Sequence, residues 1–381
     1  MISRFVLPTA AAFSLGIFAV NANAADLGVG GACCADLEER VAELEATTAR
    51  KGNRVVSLEI YGQVNKALLF FDNGEDEDAF IVDNDVSGSR FGLKGSASIK
   101  PGWTAGYRIE LDVQDAASDK VSENDDDPDD EIKIRINEVY IEGERWGRLT
   151  IGQGQTASDG SSEVVLGNSL SDSSIASGNA IGIAGLGDTP LGNFADNLDG
   201  KGRDDRIRYD SPSVYGFILS ASWGDDDFWD VALRFKKEWN SIRLAAAIAY
   251  LDDSTGDIIG DDFSQISGSI SVMHVPTGIY GAFAAAEQDI DNAINNPNFW
   301  YAQLGIEKRL MSYGSTTVYG EFGVYDDFEI DSQADRWGMG VVQKFDSAAM
   351  EIYAQGLFYD IEQGADEGDI SQVLIGSRIK F

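Results

Sequence analysis

Histidine, cysteine and basic residues are scarce in this chain, and each shortage argues against a class of protein. With His274 as the only histidine, a serine-based hydrolase or protease has a single candidate general base. Cys33 and Cys34 are adjacent, and neighbouring cysteines rarely bridge each other without strain, so interchain disulfides, free thiols and lipidation all stay open. Lysine and arginine number 29 against 64 acidic residues, and the resulting net charge of -35 repels nucleic acid.

Long apolar segments are also missing after the first 24 residues. Arg4, an apolar stretch over residues 5–20 and the small residues Ala22-Asn23-Ala24 are together typical of a secretory signal peptide. They predict a mature chain that begins at Ala25. A membrane anchor is the rival interpretation, which the short apolar stretch and the cleavage signal disfavour. No later segment is long and apolar enough to cross a bilayer as a helix.

Instead, apolar and polar residues alternate from position 54 to the end of the chain. A strand turns successive side chains to opposite faces, so one face of each run prefers lipid and the other prefers water. About sixteen runs follow one another, at residues 54–71, 89–99, 103–114, 131–142, 148–154, 203–210, 215–223, 229–239, 242–251, 263–274, 279–288, 299–310, 315–325, 335–345, 349–359 and 370–381. They predict an all-β protein, an antiparallel transmembrane β-barrel of about sixteen strands. The fourth run loses its alternation after Ile136, which predicts a bulge or an early end there.

Short and long connections alternate between these runs. The short ones lie at residues 100–102, 143–147, 211–214, 240–241, 275–278, 311–314 and 346–347. The long ones are nearly all acidic and lie at residues 72–85, 123–131, 224–227, 252–262, 289–296, 326–331 and 362–369. This sorting predicts tight periplasmic turns and acidic outer loops. Their charge favours cations at the outer mouth, most strongly at low salt.

Aromatic residues cluster near both ends of the runs, as two interfacial girdles would. Those near the short turns are Trp103, Trp146, Tyr215, Trp239, Tyr313, Phe345 and Phe381. Those near the long loops are Phe70, Trp223, Trp229, Tyr250, Phe299, Trp300, Tyr325 and Tyr359.

Residues 36–51 have a helical pattern, within a spacer that covers residues 25–53. Leu37, Val41 and Leu44 recur at heptad-like spacing with charged residues between them. Two heptads are too short to be stable alone. The pattern therefore fits either a small periplasmic bundle beside associated barrels or a solvated amphipathic spacer.

One connection, residues 155–202, is far longer than the others. A disordered loop would not need its glycine-spaced apolar residues, so we expect this third outer loop to fold against the inner barrel wall and narrow the lumen. Its acidic residues are Asp159, Glu163, Asp172, Asp188, Asp196 and Asp199. Basic residues on lumen-facing parity, here called the basic wall, are Arg90, Lys94, Arg108, Lys133, Arg135, Arg206 and Arg208. The two sets predict a field across a narrow water path, unless the basic groups only pair with wall neighbours such as Glu110 and Asp112.

Several stretches resemble the alphaproteobacterial, rhizobial-type porin family. They are residues 35–46 (ADLEERVAELEA) with 50–54 (RKGNR), 61–67 (YGQVNKA), 89–95 (SRFGLKG) and 105–107 (AGY). The resemblance implies a homotrimer of sixteen-stranded barrels in which the third loop constricts a pore for small hydrophilic molecules. It also implies that the terminal Phe381 is an assembly signal read by the barrel-insertion machinery.

We therefore predict a Gram-negative outer-membrane porin, a passive, water-filled diffusion channel for ions and small hydrophilic solutes that needs no cofactor. Its other partners would be outer-membrane lipid and lipopolysaccharide. The alternative is a structural barrel that anchors the outer membrane to the cell wall through the 36–51 helix. We predict no enzyme, although composition alone does not exclude a hydrolase with two carboxylates. The acidic runs 125–127 and 129–131 lack the spacing of a dedicated calcium loop, so only weak bridging of divalent cations is expected.

Overall fold

The computed structural model describes residues 55–381 except 123, 126–127, 129–131, 170–183, 187–188, 225–226 and 255–260. The predicted signal peptide, the 36–51 helix, and Cys33 and Cys34 lie outside the described residues. Within the described part of the chain, no helix has the length and hydropathy that a transmembrane helix needs.

The described residues form nineteen β-strands. They are β1 (Glu59–Asp72), β2 (Glu77–Asp83), β3 (Arg90–Lys100), β4 (Trp103–Asp112), β5 (Lys133–Gly143), β6 (Gly147–Gln155), β7 (Ala184–Leu186), β8 (Thr189–Pro190), β9 (Arg203–Asp210), β10 (Phe217–Gly224), β11 (Phe228–Trp239), β12 (Ile242–Asp253), β13 (Phe263–His274), β14 (Ile279–Ile290), β15 (Asn298–Met311), β16 (Gly314–Asp326), β17 (Ser332–Phe345), β18 (Met350–Gln363) and β19 (Asp366–Lys380).

These strands close into one antiparallel barrel. Each wall strand pairs with the next, and β19 pairs back with β1 from Gln63↔Lys380 to Asp72↔Ser371. The upper half of β1 pairs with β2 and its lower half with β3, so β2 and β3 together make one interrupted wall strand. The strands β7 and β8 pair only with each other, outside the wall sheet. The described residues therefore form sixteen wall strands, which confirms the predicted architecture.

Side chains alternate between the two faces of the wall as the sequence predicts. In β4, Ile109 is 38% exposed on the outer face, whereas the next residue, Glu110, is 1% exposed on the inner face. Tight turns join the strands at one end of the barrel. In one of them Asn240 and Ser241 both have positive φ, which a two-residue hairpin with the right twist requires. The predicted irregularity in the fourth run is also confirmed, because the register of β4 with β5 shifts between Glu110 and Leu111.

Two predicted long loops are wrong. Residues 72–85 contain β2, which extends the wall upward against β1. Residues 362–369 mostly belong to β18 and β19, which pair as far as Gln363↔Asp366. In both segments carboxylates flank or interrupt the strands. In β2 the inward Phe80 and Val82 are buried and the outward Ile81 is exposed, so the alternation covers only residues 79–82 and is easily outweighed by the acidic residues around it.

The predicted upper girdle is partly wrong. Phe299, Tyr325 and Tyr359 are at most 2% exposed and lie on the inner face, packed in one apolar cluster. By contrast, Trp223 and Trp229 are exposed on the outer face, where an interfacial girdle needs them. The three inward rings have a different partner, which is the long connection described below.

Candidate functional site

The long connection, residues 155–202, contacts the inner face of the barrel through its first described part. The Ser161 and Ser267 hydroxyls lie 2.6 Å apart, and the Val164 and Leu166 amides donate to the Ser269 and Ser271 hydroxyls at 3.0 and 3.1 Å. The serines at 267, 269 and 271 are successive inward positions of β13. The connection therefore descends along this strand, using its hydroxyls in place of a strand partner.

Beyond β13, the chain continues along the wall to β15. The Asn168 amide donates to Glu307 Oε2 at 3.0 Å, and Val165 and Leu166 pack against an apolar cluster that includes Tyr280. Residues 170–183 lie outside the described part of the chain, and with them the predicted site residue Asp172. Asp188 is also outside it.

The second described part of the connection packs high on the inner wall. Leu191 and Phe194 are fully buried in the cluster that contains the inward rings Phe299, Tyr325 and Tyr359. Below these rings, the Arg336 guanidinium donates to Glu321 Oε1 at 2.6 Å, and neither side chain is exposed. This packing explains why the three aromatic residues do not join the girdle.

Buried ionic contacts hold both ends of the connection. Asp230 of β11 is fully buried and accepts from the Ser158 amide at 2.7 Å, from the Ser158 hydroxyl at 2.6 Å and from the Ala157 amide at 3.2 Å. The Ser222 hydroxyl also donates to it. At the other end, Lys201 Nζ lies 2.8 Å from Asp253 Oδ2, and both side chains are buried.

The described acidic residues of the connection accept hydrogen bonds mainly from other residues of the connection. Asp199 accepts from the Gly160 amide at 2.6 Å and from the Ser162 hydroxyl at 2.7 Å. Burial, together with the neighbouring Asp159, raises the pKa of the Asp199 carboxyl to about 7. Burial also raises the pKa of Asp159 and of Asp196. Glu163 accepts from the Asn197 amide nitrogen at 2.8 Å.

Three arginines of the basic wall share one carboxylate. Glu110 accepts from Arg108 at 2.6 Å and from Arg135 at 3.2 Å, and it lies 3.8 Å from Arg90. Arg135 also donates to Asp112 at 3.1 Å. Glu110 is 1% exposed, so the three guanidinium groups surround a buried anion.

The other predicted basic residues are also engaged. Arg206 donates to Glu138 at 2.6 Å, and Arg208 donates to Asp210 at 2.8 Å and to the Thr156 carbonyl at 2.6 Å. Lys94 Nζ lies 2.9 Å from Glu59. Lys133 is exposed at the upper end of β5. Much of the basic wall is therefore paired with neighbouring carboxylates of the barrel, as the alternative interpretation predicts.

A cavity of about 650 Å³ lies on the inner face of β1, β3–β6 and β9. The described contacts of the long connection lie mainly on β10–β18, so the basic wall borders open space. Three residues of this region were not predicted, namely Tyr140, Arg148 and Arg234. Their inward parity in β5, β6 and β11 was the available signal. Arg234 donates to the Ala157 and Asp159 carbonyls, at 2.7 and 2.6 Å, and so braces the connection.

Comparison with known proteins gives a family and a fold. A family model described as Gram-negative porin matches residues 9–363. No curated sequence gave a significant match. Among solved structures, the anion-selective porin from Comamonas acidovorans is 16% identical, with 86% of this chain and 100% of that chain covered and a TM-score of 0.60. OmpT of Vibrio cholerae is 13% identical, with 87% and 99% covered and a TM-score of 0.59. The DcaP channel of Acinetobacter baumannii is 12% identical, with 88% and 100% covered and a TM-score of 0.56.

Proposed function

Since this chain belongs to the Gram-negative porin family, we propose that its water path runs between the long connection and the basic wall. The protein is an outer-membrane β-barrel that forms a passive diffusion channel for ions and small hydrophilic solutes. The observation that carries the proposed path is the 650 Å³ cavity on one inner arc of the barrel, while the connection packs on the other. The path is thus displaced from the barrel axis and bordered by charged side chains.

Two matched serine-to-cysteine variants test the path. Ser96 faces the cavity, whereas Ser269 lies under the long connection and is 7% exposed. Both changes are made after Cys33 and Cys34 are replaced by serine. In planar bilayers, a charged methanethiosulfonate reagent should lower the conductance of Ser96→Cys and leave that of Ser269→Cys unchanged. Equal labelling of both, or the reverse order, contradicts the proposed path, and an absence of current from the unmodified protein contradicts an open channel.

The third loop, in this proposal, sets the narrowest section of the path, with its acidic residues opposite the basic wall. Support comes from the two described parts of the connection, which contact the inner wall from β10 to β18. Among its acids, Glu163 stays partly exposed, while Asp196 and Asp199 serve the loop's own folding. We expect the basic wall, more than the acids of the described loop, to set the local field.

Trimer formation is also proposed, through the outer face around β1. Lys66 is one of the residues of β1 that face outward. It lies near the middle of the wall, four residues above Gly62, at the base of the β1–β19 pairing, and four residues below the outward Phe70. Its ammonium pairs with Asp83 at 3.4 Å and Asp115 at 3.3 Å. A charge at mid-height costs about 2–4 kcal/mol against lipid, so a neighbouring subunit is the more favourable cover. Amine-to-carboxylate crosslinking at this face should yield trimers, and Lys66→Ala should reduce that yield.

The remaining assignments rest on the sequence. We propose that residues 1–24 are removed, that 25–53 are periplasmic and that the chain belongs to the rhizobial-type branch of porins. Phe381 would be read by the barrel-assembly machinery, which suits its 62% exposure at the base of the wall. We propose contacts of the outer surface with lipopolysaccharide, and neither catalysis nor a cofactor. Ester and glycoside hydrolysis by the purified protein would contradict the absence of catalysis.

A further inference from the structure

Arg148 differs from the other basic residues that line the cavity. Within the described residues it has neither an ion pair nor a hydrogen bond. Its guanidinium carbon lies 3.5 Å from the ring centroid of Tyr140, so the planar group stacks on the ring. The stacking holds one face of the guanidinium and leaves its N–H edges available.

An available N–H edge recognises carboxylates. A guanidinium presents two parallel donors that match the two oxygens of a carboxylate in one plane. Because Tyr140 fixes the plane of Arg148, a bound carboxylate would lie in a layer parallel to the tyrosine ring. A ligand that is flat beyond its carboxylate can extend this layer along the wall, whereas a puckered ligand cannot.

The surroundings favour an anion despite the acidity of the chain. The cavity is lined by five basic and three acidic side chains, namely Lys94, Arg108, Arg148, Arg206 and Arg208 against Glu59, Glu138 and Asp210. The other basic residues are already bound to carboxylates. Glu142 and Asp210 lie opposite Arg148 in the register, but among the described residues neither forms an ion pair with it, so the uncompensated positive charge of the cavity centres on Arg148. The volume of 650 Å³ lies in the range of small-molecule sites and leaves room for water beside a single aromatic acid.

A second aromatic ring on the same surface has similar surroundings. Tyr61 lies under the Lys94 ammonium, 5.1 Å from its ring centroid, and under the Arg108 guanidinium at 5.5 Å. Its hydroxyl accepts from Arg108 Nε at 2.7 Å and donates to Glu110 at 2.9 Å, which fixes the ring. The cavity wall therefore offers stacking as well as charge.

We propose that Tyr140 and Arg148 form a binding site for planar aromatic carboxylates inside the channel. The inference rests on the proposed water path, because the site faces it. Binding is weak, since Arg148 stays partly exposed and solvent competes for its donors. A weak site concentrates one class of solute without stopping its passage.

The test compares two acids of equal charge and similar size, benzoate and cyclohexanecarboxylate, as blockers of KCl current through single channels. The wild type should be blocked by benzoate at a concentration roughly threefold lower than by cyclohexanecarboxylate. Arg148→Gln should weaken the benzoate block roughly fivefold to tenfold. Arg148→Lys should keep much of the attraction for both acids and lose the preference for the flat one. Arg145→Gln removes an exposed guanidinium from the adjacent turn and should behave as the wild type.

Other outcomes overturn the site. Equal block by the two acids in the wild type would contradict stacking of a flat ligand. An unchanged benzoate block in Arg148→Gln would contradict carboxylate binding by the Arg148 guanidinium. KCl conductance without acid verifies each variant as a folded channel. If even the wild type carried no KCl current, the water path would fail, and benzoate binding to the detergent-solubilised protein, measured by saturation-transfer NMR for wild type and Arg148→Gln, would still decide the site.

Discussion

Replacing Asp230 by alanine should release the long connection from the barrel wall. The buried carboxylate accepts hydrogen bonds from Ala157, Ser158 and Ser222, and alanine leaves those donors without it. Each buried donor left unpaired costs about 1–3 kcal/mol, but the costs do not add fully because the root of the loop relaxes and admits water. We expect a net loss of about 3–5 kcal/mol in docking of the loop root. At 1.4 kcal/mol per factor of ten, the undocked population rises roughly a hundredfold to a few thousandfold.

Single-channel recording and limited proteolysis measure this release. Asp230→Ala should show larger and noisier conductance, together with cleavage inside residues 155–202, while the barrel resists protease. Asp230→Asn keeps one acceptor oxygen and should lie between the alanine variant and the wild type. Asp252→Ala is the matched control, because Asp252 pairs with Trp229 on the outward parity of the neighbouring strand. If Asp230→Ala kept wild-type conductance, noise and protease resistance, the buried carboxylate would not hold the loop.

Three further predictions concern buried charges. The pKa of Asp199 is raised from 3.8 to about 7 in the folded loop, so its stabilising contribution is complete below about pH 4, declines as pH rises and is lost above about pH 7. Channel noise should therefore grow between about pH 4 and 7, and Asp199→Asn should abolish this change. Arg336→Met leaves Glu321 buried without its cation and should cost about 3–5 kcal/mol, seen as a lower melting temperature that adding Glu321→Gln partly restores. Glu110→Gln removes the carboxylate shared by three arginines and should shift reversal potentials toward anions, whereas no shift would mean that the cluster lies off the ion path.

The barrel could be predicted from the sequence because its signal is local. Alternation along β4 or β19 follows from the geometry of a single strand between lipid and water, and needs no knowledge of distant residues. The inward direction of Arg108 and Arg206 follows from the same parity. Strand β2 was missed because its apolar run covers only residues 79–82 and is flanked by carboxylates, so the acidic composition of the segment outweighed the strand signal.

The interior of the site could not be predicted in this way. Phe299, Tyr325 and Tyr359 form a buried apolar cluster because the long connection covers them, and that contact joins residues more than a hundred positions apart. The same holds for Asp199, whose partners come from the other end of the connection. Arg148 was overlooked although its parity was right, because its stacking on Tyr140 depends on the register between β5 and β6.

The seam between the first and last strands has a consequence for biogenesis. Phe381 exchanges backbone hydrogen bonds with Gly62, so the strand β19 completes the ladder that the earliest wall strand begins. The cylinder therefore cannot close before β19 has been made, and until then β1 presents a row of unpaired amides and carbonyls. A chain that lacked even one hairpin would leave two strand edges unpaired, and a bilayer does not accommodate unpaired edges. We therefore expect such a chain to be degraded in the periplasm rather than to form a smaller pore.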